Sequence, residues 1–433
     1  MKHDMLKAIR NTGLALLGTA ALAAARPYIV GVDISWVLED ESLGATYYDG
    51  TTKKDLFVIL KDHGVNFIRV RTFVNSCVGY AKESYSGANP NVCWCDLDHT
   101  ITLAKRIKAA KMGFLLDFHM SDTWASIGKQ YVPAAWSGMT DAQMQKAAYE
   151  YVKKNVKTLV DLGLRPDMVQ VGNEINSAMS GVSSSKPGWA PLINAGIKGV
   201  REIDPSIKIV MQHGQPRPDK NFMDWYGKLK AGKVDYDIIG GSTYGTTNNG
   251  DDWRQMFGNV VKDGTPVVSL EYTSNRTALI NTVMNEFPNN MGLGSFVWEP
   301  TRYDKPMFDR VGQKYTANAK LDELQSYAKK FNATLPDWVK LDSKPVGVQK
   351  PAMAKAPFVA FDRSSRVVTV ASPKARLRLF SVHGELVLDA HLESGAASQD
   401  YALPVSTLKS GVYLLDVTAG TERFSSPVSL VTP

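Results

Sequence analysis

Between residues 28 and 335, short β-branched apolar runs alternate with longer segments whose apolar residues recur at helical spacing. The pattern predicts strands at Ile29–Ile34, Val65–Val70, Gly113–Phe118, Met168–Val171, Ile207–Met211, Asp237–Ile239, Pro266–Leu270 and Gly292–Val297. Helical patterns lie between them, at Lys54–Asp62, His99–Lys111, Asp141–Leu162, Pro191–Ile203 and Asn221–Ala231. Eight strands with interleaved helices, and no Gly-rich nucleotide loop after the first strand, predict an α/β fold of the (β/α)8 TIM-barrel type. In that architecture chemistry gathers at the C-terminal ends of the strands, so polar residues there are the candidates.

The texture changes after residue 343. Residues 344–357 hold three prolines and no apolar period, which reads as a linker between a barrel domain at 26–343 and a second domain at 358–433. The second domain alternates over Arg366–Val370, Arg376–Phe380, Glu385–Asp389, Gly411–Val417 and Phe424–Leu430, with Gly, Ser and Pro turns between. That predicts a small antiparallel β-sandwich. The first 25 residues predict a signal peptide: Lys2, Lys7 and Arg10 are basic, Leu14 to Leu22 is apolar, and Ala23–Ala25 offers small residues for cleavage. The later apolar stretches are of strand length, so no transmembrane segment is expected.

The formal charge of +7 in 433 residues is spread without any basic block, which excludes a nucleic-acid footprint. Nine Trp and 17 Tyr suit a site that stacks flat ligands such as sugars. The three cysteines, Cys77, Cys93 and Cys95, would let Cys77 close a loop with either Cys93 or Cys95 in an oxidising compartment. Metal binding by the three lacks a nearby His or a fourth Cys, so no metal and no cofactor are expected, and the chain is expected to act as a monomer.

Two strand ends deliver a glutamate directly after an apolar run, at Val171-Gly172-Asn173-Glu174 and at Leu270-Glu271-Tyr272. The expectation is that strands four and seven place Glu174 and Glu271 facing each other across the barrel mouth. Paired carboxylates are what glycoside hydrolysis needs, one protonated to assist the leaving oxygen and one ionised at the anomeric carbon. Other strand ends supply candidates for substrate binding. Arg69 and Arg71 share one face by period-two alternation, and His119, Asp122 and Trp124 cluster after strand three. Asn173 adjoins Glu174, while His213, Tyr244 and Trp298 follow strands five, six and eight.

The blocks Gly31-Val32-Asp33-Ile34-Ser35-Trp36-Val37, Arg69-Val70-Arg71, Asp117-Phe118-His119-Met120-Ser121-Asp122-Thr123-Trp124-Ala125, Pro133-Ala134-Ala135-Trp136, Val169 to Asn176 and Phe296-Val297-Trp298-Glu299-Pro300 together resemble the arabinogalactan endo-β-1,4-galactanases of glycoside hydrolase family 53. The resemblance covers about residues 28 to 330. It implies a retaining endo-glycosidase acting on β-galactan or arabinogalactan, with Glu174 matching the acid/base and Glu271 the nucleophile. The chain departs from the family pattern at Lys208–Gly214, at Gly240–Gly245 and around Glu271, which bears on subsite preference. Chemistry alone leaves a β-mannanase, a β-glucanase or a catalytically silent carbohydrate-binding barrel as alternatives. The C-terminal domain is similar to sandwich domains that engage secretion machinery in Gram-negative bacteria, so a secreted or cell-surface protein is expected.

Overall fold

The computed structural model describes residues 25–79, 93–216, 220–244, 250–341, 359–362, 367–381, 385–394, 398–404, 408, 411–420 and 422–430. The expected linker and, Ala25 apart, the expected signal peptide lie outside them. Eight parallel strands close into a barrel: β1 (Ile29–Asp33), β2 (Phe67–Thr72), β3 (Gly113–Phe118), β4 (Met168–Val171), β5 (Lys208–His213), β6 (Ile238–Ser242), β7 (Val267–Glu271) and β8 (Gly292–Trp298). Every predicted strand is present, shifted by two residues or fewer at its start and up to three at its end. Helices follow the strands in turn, α1 (Leu56–Asp62), α2 (Leu97–Ala109), α3 (Asp141–Asp161), α4 (Trp189–Arg201), α5 (Lys220–Ala231), α6 (Asp251–Lys262), α7 (Thr277–Glu286) and α8 (Ala319–Lys330).

Local chemistry sets several helix starts. Asp55 accepts from the Phe57 amide, Asp96 from the His99 amide, and Thr140 forms a reciprocal capping box with Gln143. Each satisfies amides that lack an intrahelical acceptor, an effect worth about 1 kcal/mol.

Inward positions along the strands change character with height. At the N-terminal end Ile29, Phe67, Leu115, Met168, Val210, Ile238 and Phe296 pack into one apolar cluster, covered by Leu335, Trp338 and Val339. Two residues further along four of these strands the inward positions are Arg69, Asp117, Gln170 and Gln212. Period-two alternation thus stacks a polar layer on an apolar one and leaves the C-terminal mouth as the polar end. The segment covering the opposite end is fastened by the buried Asp167 carboxylate, which accepts from the amides of Phe114 (3.0 Å) and Lys340 (2.8 Å).

Short strands at Thr46–Asp49, Thr52–Lys53, Phe308–Val311 and Lys314–Ala317 form a four-stranded sheet that the alternation pattern did not anticipate. It joins the loop after β1 to the loop after β8. Cys77 is bonded to Cys93, and Cys95 is a buried free thiol, which resolves the alternative left open by spacing. No described helix is long and apolar enough to cross a membrane.

The chain divides into two compact units between residues 346 and 347. The second is antiparallel throughout its described strands: β9 (Val359–Asp362), β10 (Val367–Val370), β11 (Lys374–Ser381), β12 (Leu386–Glu393), β13 (Gln399–Ala402), β14 (Gly411–Ala419) and β15 (Glu422–Leu430). They form sheets ordered β9-β10-β13 and β12-β11-β14-β15, which share a core of Val368, Val370, Leu377, Leu379, Leu415 and Val417.

Candidate active site

A cleft of about 630 Å³ opens at the C-terminal mouth of the barrel, and both predicted glutamates line it. The chain leaves β4 through Gly172 (φ +90°) and turns through Glu174 in the left-handed region (φ +49°). A glutamate costs about 1–3 kcal/mol to hold there, so surrounding bonds must fix it. A Cβ on Gly172 would lie 2.5 Å from Ile175, and one on Gly214 would lie 2.9 Å from the Glu174 carboxyl carbon. Glycine at both positions lets neighbouring backbone close on the acid.

Strands β5 and β6 stand between β4 and β7 in the ring. Glu174 and Glu271 are therefore three strands apart on one side of the mouth and do not face each other across its diameter, as the strand count alone had suggested. A buried amide links them. Gln212 Nε2 donates to Glu271 Oε1 at 2.9 Å and to Ser242 Oγ at 2.9 Å, and the Ser242 hydroxyl donates to Glu174 Oε1 at 2.6 Å. The orientation of Gln212 is set from its other end, where Oε1 accepts from Gln170 at 2.6 Å. The Ile127 amide donates to Glu174 Oε2 at 3.2 Å.

Arg69, 1% exposed, is the electrostatic hub beneath the pair. Its guanidinium reaches Asp33 at 2.9 Å, Asp117 at 2.8 Å and Glu271 Oε1 at 2.9 Å, and donates to Asn173 Oδ1 at 2.8 Å. Burial opposes its charge, but Asp117, Glu271 and Asp33 outweigh burial and raise its pKa further. Tyr244 donates its hydroxyl to Glu271 Oε2 at 3.2 Å. Burial, followed by the charge of Glu271, pushes Glu174 up to about 7, against the opposing pull of Ser242, the Ile127 amide and Arg69. Two carboxyls thus occupy contrasting surroundings: Glu271 sits among donors, and Glu174 retains its proton into the neutral range. Acid and carboxylate chemistry requires two carboxyls in such unlike surroundings within one cleft.

His119, Trp124, Asn173, Tyr244 and Trp298 line the cleft with the glutamates. His119 Nδ1 accepts from the Ala125 amide at 2.9 Å, which leaves Nε2–H facing Asp117 Oδ2 at 3.1 Å. Four other sequence candidates are placed differently. Arg69 and Arg71 are buried below the cleft and hold carboxylates instead of offering donors to a sugar; Arg71 pairs with Glu299 at 2.7 Å. Asp122 pins two loops by accepting from the amides of Asn75 (2.9 Å) and Ala134 (2.8 Å). His213 is 2% exposed, against the rings of Phe222 and Trp225 at 5.4 and 5.2 Å, and does not line the cleft.

The cleft also contains residues outside the predicted set, among them Trp36, Lys129, Tyr303 and Asp304. Two guanidinium groups lie over the Trp36 ring, Arg71 at 4.9 Å and Arg302 at 4.6 Å, and Trp298 neighbours it at 5.2 Å. Trp298 in turn meets Tyr303 at 4.2 Å, giving a continuous aromatic wall suited to sugar faces. Among the described residues, no cluster of three or more metal-ligating side chains is present.

Residues 29–273 match the family model for glycosyl hydrolase family 53, a span that includes both glutamates. Residues 364–428 match the secretion system C-terminal sorting domain. An arabinogalactan endo-beta-1,4-galactanase of Cellvibrio japonicus (strain Ueda107) is 37% identical over 253 residues, which cover 55% of this chain and 61% of that protein. An endo-beta-1,4-galactanase of Bacillus subtilis (strain 168) is 29% identical over 311 residues, covering 64% of this chain and 70% of the relative. The match with the Cellvibrio protein thus spans less than two thirds of its length. Among solved structures, the Ignisphaera aggregans GH53 catalytic domain superposes with a TM-score of 0.61 at 24% identity, over 71% of this chain and 97% of that one. One of two fungal beta-1,4-galactanases gives 0.60 at 24%, over 70% and 100%. At that identity these structures establish the shared barrel.

Proposed function

The chain belongs to glycosyl hydrolase family 53, and from that premise we propose that it is a retaining endo-β-1,4-galactanase acting on pectic galactan and type I arabinogalactan. The observation that carries the chemistry is the Glu174–Ser242–Gln212–Glu271 relay, which fixes two carboxyls in one cleft, with burial and the charge of Glu271 raising the proton affinity of Glu174. The family match and the galactanase relatives support the choice of galactose.

In this reading Glu174 gives its proton to the glycosidic oxygen as the bond to the anomeric carbon breaks. Glu271 forms a bond to that carbon through Oε2, the oxygen that, among the described residues, accepts from Tyr244 alone. Oε1 is held by Gln212 and Arg69 and acts as the fixed end of the carboxylate. Water then attacks the same carbon, Glu174 takes its proton, and Glu271 leaves, so the configuration is retained. The Ser242 hydroxyl accepts from Gln212 and donates to Glu174 Oε1, and with that donor on Oε1 the transferable proton is placed on Oε2 of Glu174. The sorting domain supports release or surface display through the secretion machinery of a Gram-negative cell.

Incubation with purified β-1,4-galactan, β-mannan and β-glucan, followed by sizing of the products, tests the reading. Short galacto-oligosaccharides from galactan alone are expected. Preferential cleavage of mannan or glucan, or polymer binding without new reducing ends, would overturn it.

A further inference from the structure

We propose that Gln130, which does not line the cleft, is a positioning residue for the acid/base: its side-chain amide holds the main-chain carbonyls of Asn173 and Glu174 and so aims the Glu174 carboxyl. The inference rests on the reading of Glu174 as acid/base. Strand β4 ends at Val171, so the carbonyls of residues 173 and 174 leave the sheet ladder and need other donors. Gln130 Nε2 lies 2.8 Å from Asn173 O and 3.2 Å from Glu174 O, and 3.1 Å from the carbonyl of Ser126 in its own loop. Three carbonyl oxygens around one terminal atom fix it as the amide nitrogen, since the amide oxygen there would be repelled by all three.

The same loop grips the turn at three further points. Ala125 O accepts from Asn173 Nδ2 at 2.8 Å, the Ile127 amide donates to Glu174 Oε2 at 3.2 Å, and Ile127 O accepts from Ser177 Oγ at 2.9 Å. Gln130 is the member of this set that binds the peptide groups on both sides of the left-handed Glu174 Cα. Losing it removes the carbonyl-side hold on both peptide planes and leaves their N–H ends on Gln212, Glu174 N to Oε1 at 3.4 Å and Ile175 N to the main-chain O at 3.2 Å, so the planes can tilt about those ends and carry the carboxyl away from Ile127.

The test compares kcat/KM for Gln130→Met, Gln130→Glu and Glu174→Gln on β-1,4-galactan and on a dinitrophenyl β-galactobioside, whose leaving group needs no proton. Both Gln130 variants are expected to lose at least about tenfold on galactan, since misplacing a reacting group by an ångström costs up to about 100-fold, and to stay within about twofold on the aryl substrate. The high-pH limb of the galactan profile should also move up, because Ile127 no longer favours the charged form of Glu174. Assays run below each variant's unfolding midpoint separate this from loss of fold. Equal losses on the two substrates, or none on galactan, would overturn the inference while Glu174→Gln still discriminates between them. If Glu174→Gln itself shows no dependence on the leaving group, the acid/base reading falls, and this inference with it.

Discussion

Replacing Ser242 by Ala removes a single hydroxyl from between the two carboxyls, and its effect on the pH profile can be worked out in advance. In the native site Ser242 Oγ lies 2.6 Å from Glu174 Oε1 and donates to it, which favours the ionised form and lowers the proton affinity that burial and Glu271 raise. A hydrogen bond to a charged group is worth about 1.5–3 kcal/mol, and about 1.4 kcal/mol corresponds to one pKa unit. The Ile127 amide and Arg69 remain, so the lower end of that range applies and Glu174 should rise by about one unit. In the proposed mechanism activity on galactan requires protonated Glu174 and is lost as pH rises through its pKa. The high-pH limb of kcat/KM should therefore shift upward, from about 7 in the native protein to about 8 in Ser242→Ala. The substitution also leaves one Gln212 N–H without its acceptor, at a cost of about 1–3 kcal/mol in stability, which thermal unfolding reads separately. A folded Ser242→Ala variant whose limb stays in place or moves down would refute the assignment of that limb to Glu174.

Two further substitutions probe the layer beneath the cleft. Burial pushes Glu299 up to about 8 against the pull of Arg71, so the native state binds a proton that the unfolded chain releases near pH 4.5, and this residue makes stability fall as pH rises between those values. Glu299→Gln should flatten the decline of the unfolding midpoint across that window, and an unchanged slope would contradict the attribution. Arg302, held by Asp40 at 2.9 Å, covers one face of Trp36; Arg302→Met should raise KM for galactan roughly two- to fivefold with kcat nearly unchanged, whereas a fall in kcat at constant KM would place Trp36 in the chemical step.

The barrel was legible in the sequence because each parallel strand, buried on both faces, reads as a continuous apolar run between turns. The two glutamates were legible because a carboxylate directly after such a run has no packing role. Depth was harder to read. Arg69 and Arg71 were correctly placed on one face, but the same alternation cannot tell a donor at the cleft surface from one sealed beneath it by Trp36 and Trp124, over which Arg71 lies at 4.9 and 5.3 Å. Parity did carry one unused signal. Val210 faces the barrel interior, so Gln212 must as well and His213 must face the helices, which is where it packs against Phe222 and Trp225. Gln170 follows Met168 by the same rule. The contributions of Gln130, Ser242 and Glu299 depend on contacts with residues 43 to 228 positions away, and no local pattern records them.

Chemical rescue with azide tests the central claim, that Glu271 is the nucleophile and Glu174 the acid/base of a retaining galactanase. With a β-linked activated galactobioside, Glu271→Ala should yield the α-glycosyl azide, because the anion enters from the vacated carboxylate's side. Glu174→Ala should yield the β-azide, because the anion there attacks the covalent Glu271 intermediate from the opposite face. The anomeric configuration of each product, read by proton NMR, decides the matter: α from Glu271→Ala with β from Glu174→Ala is the expected pair, and the reverse pair would contradict the assignment of roles.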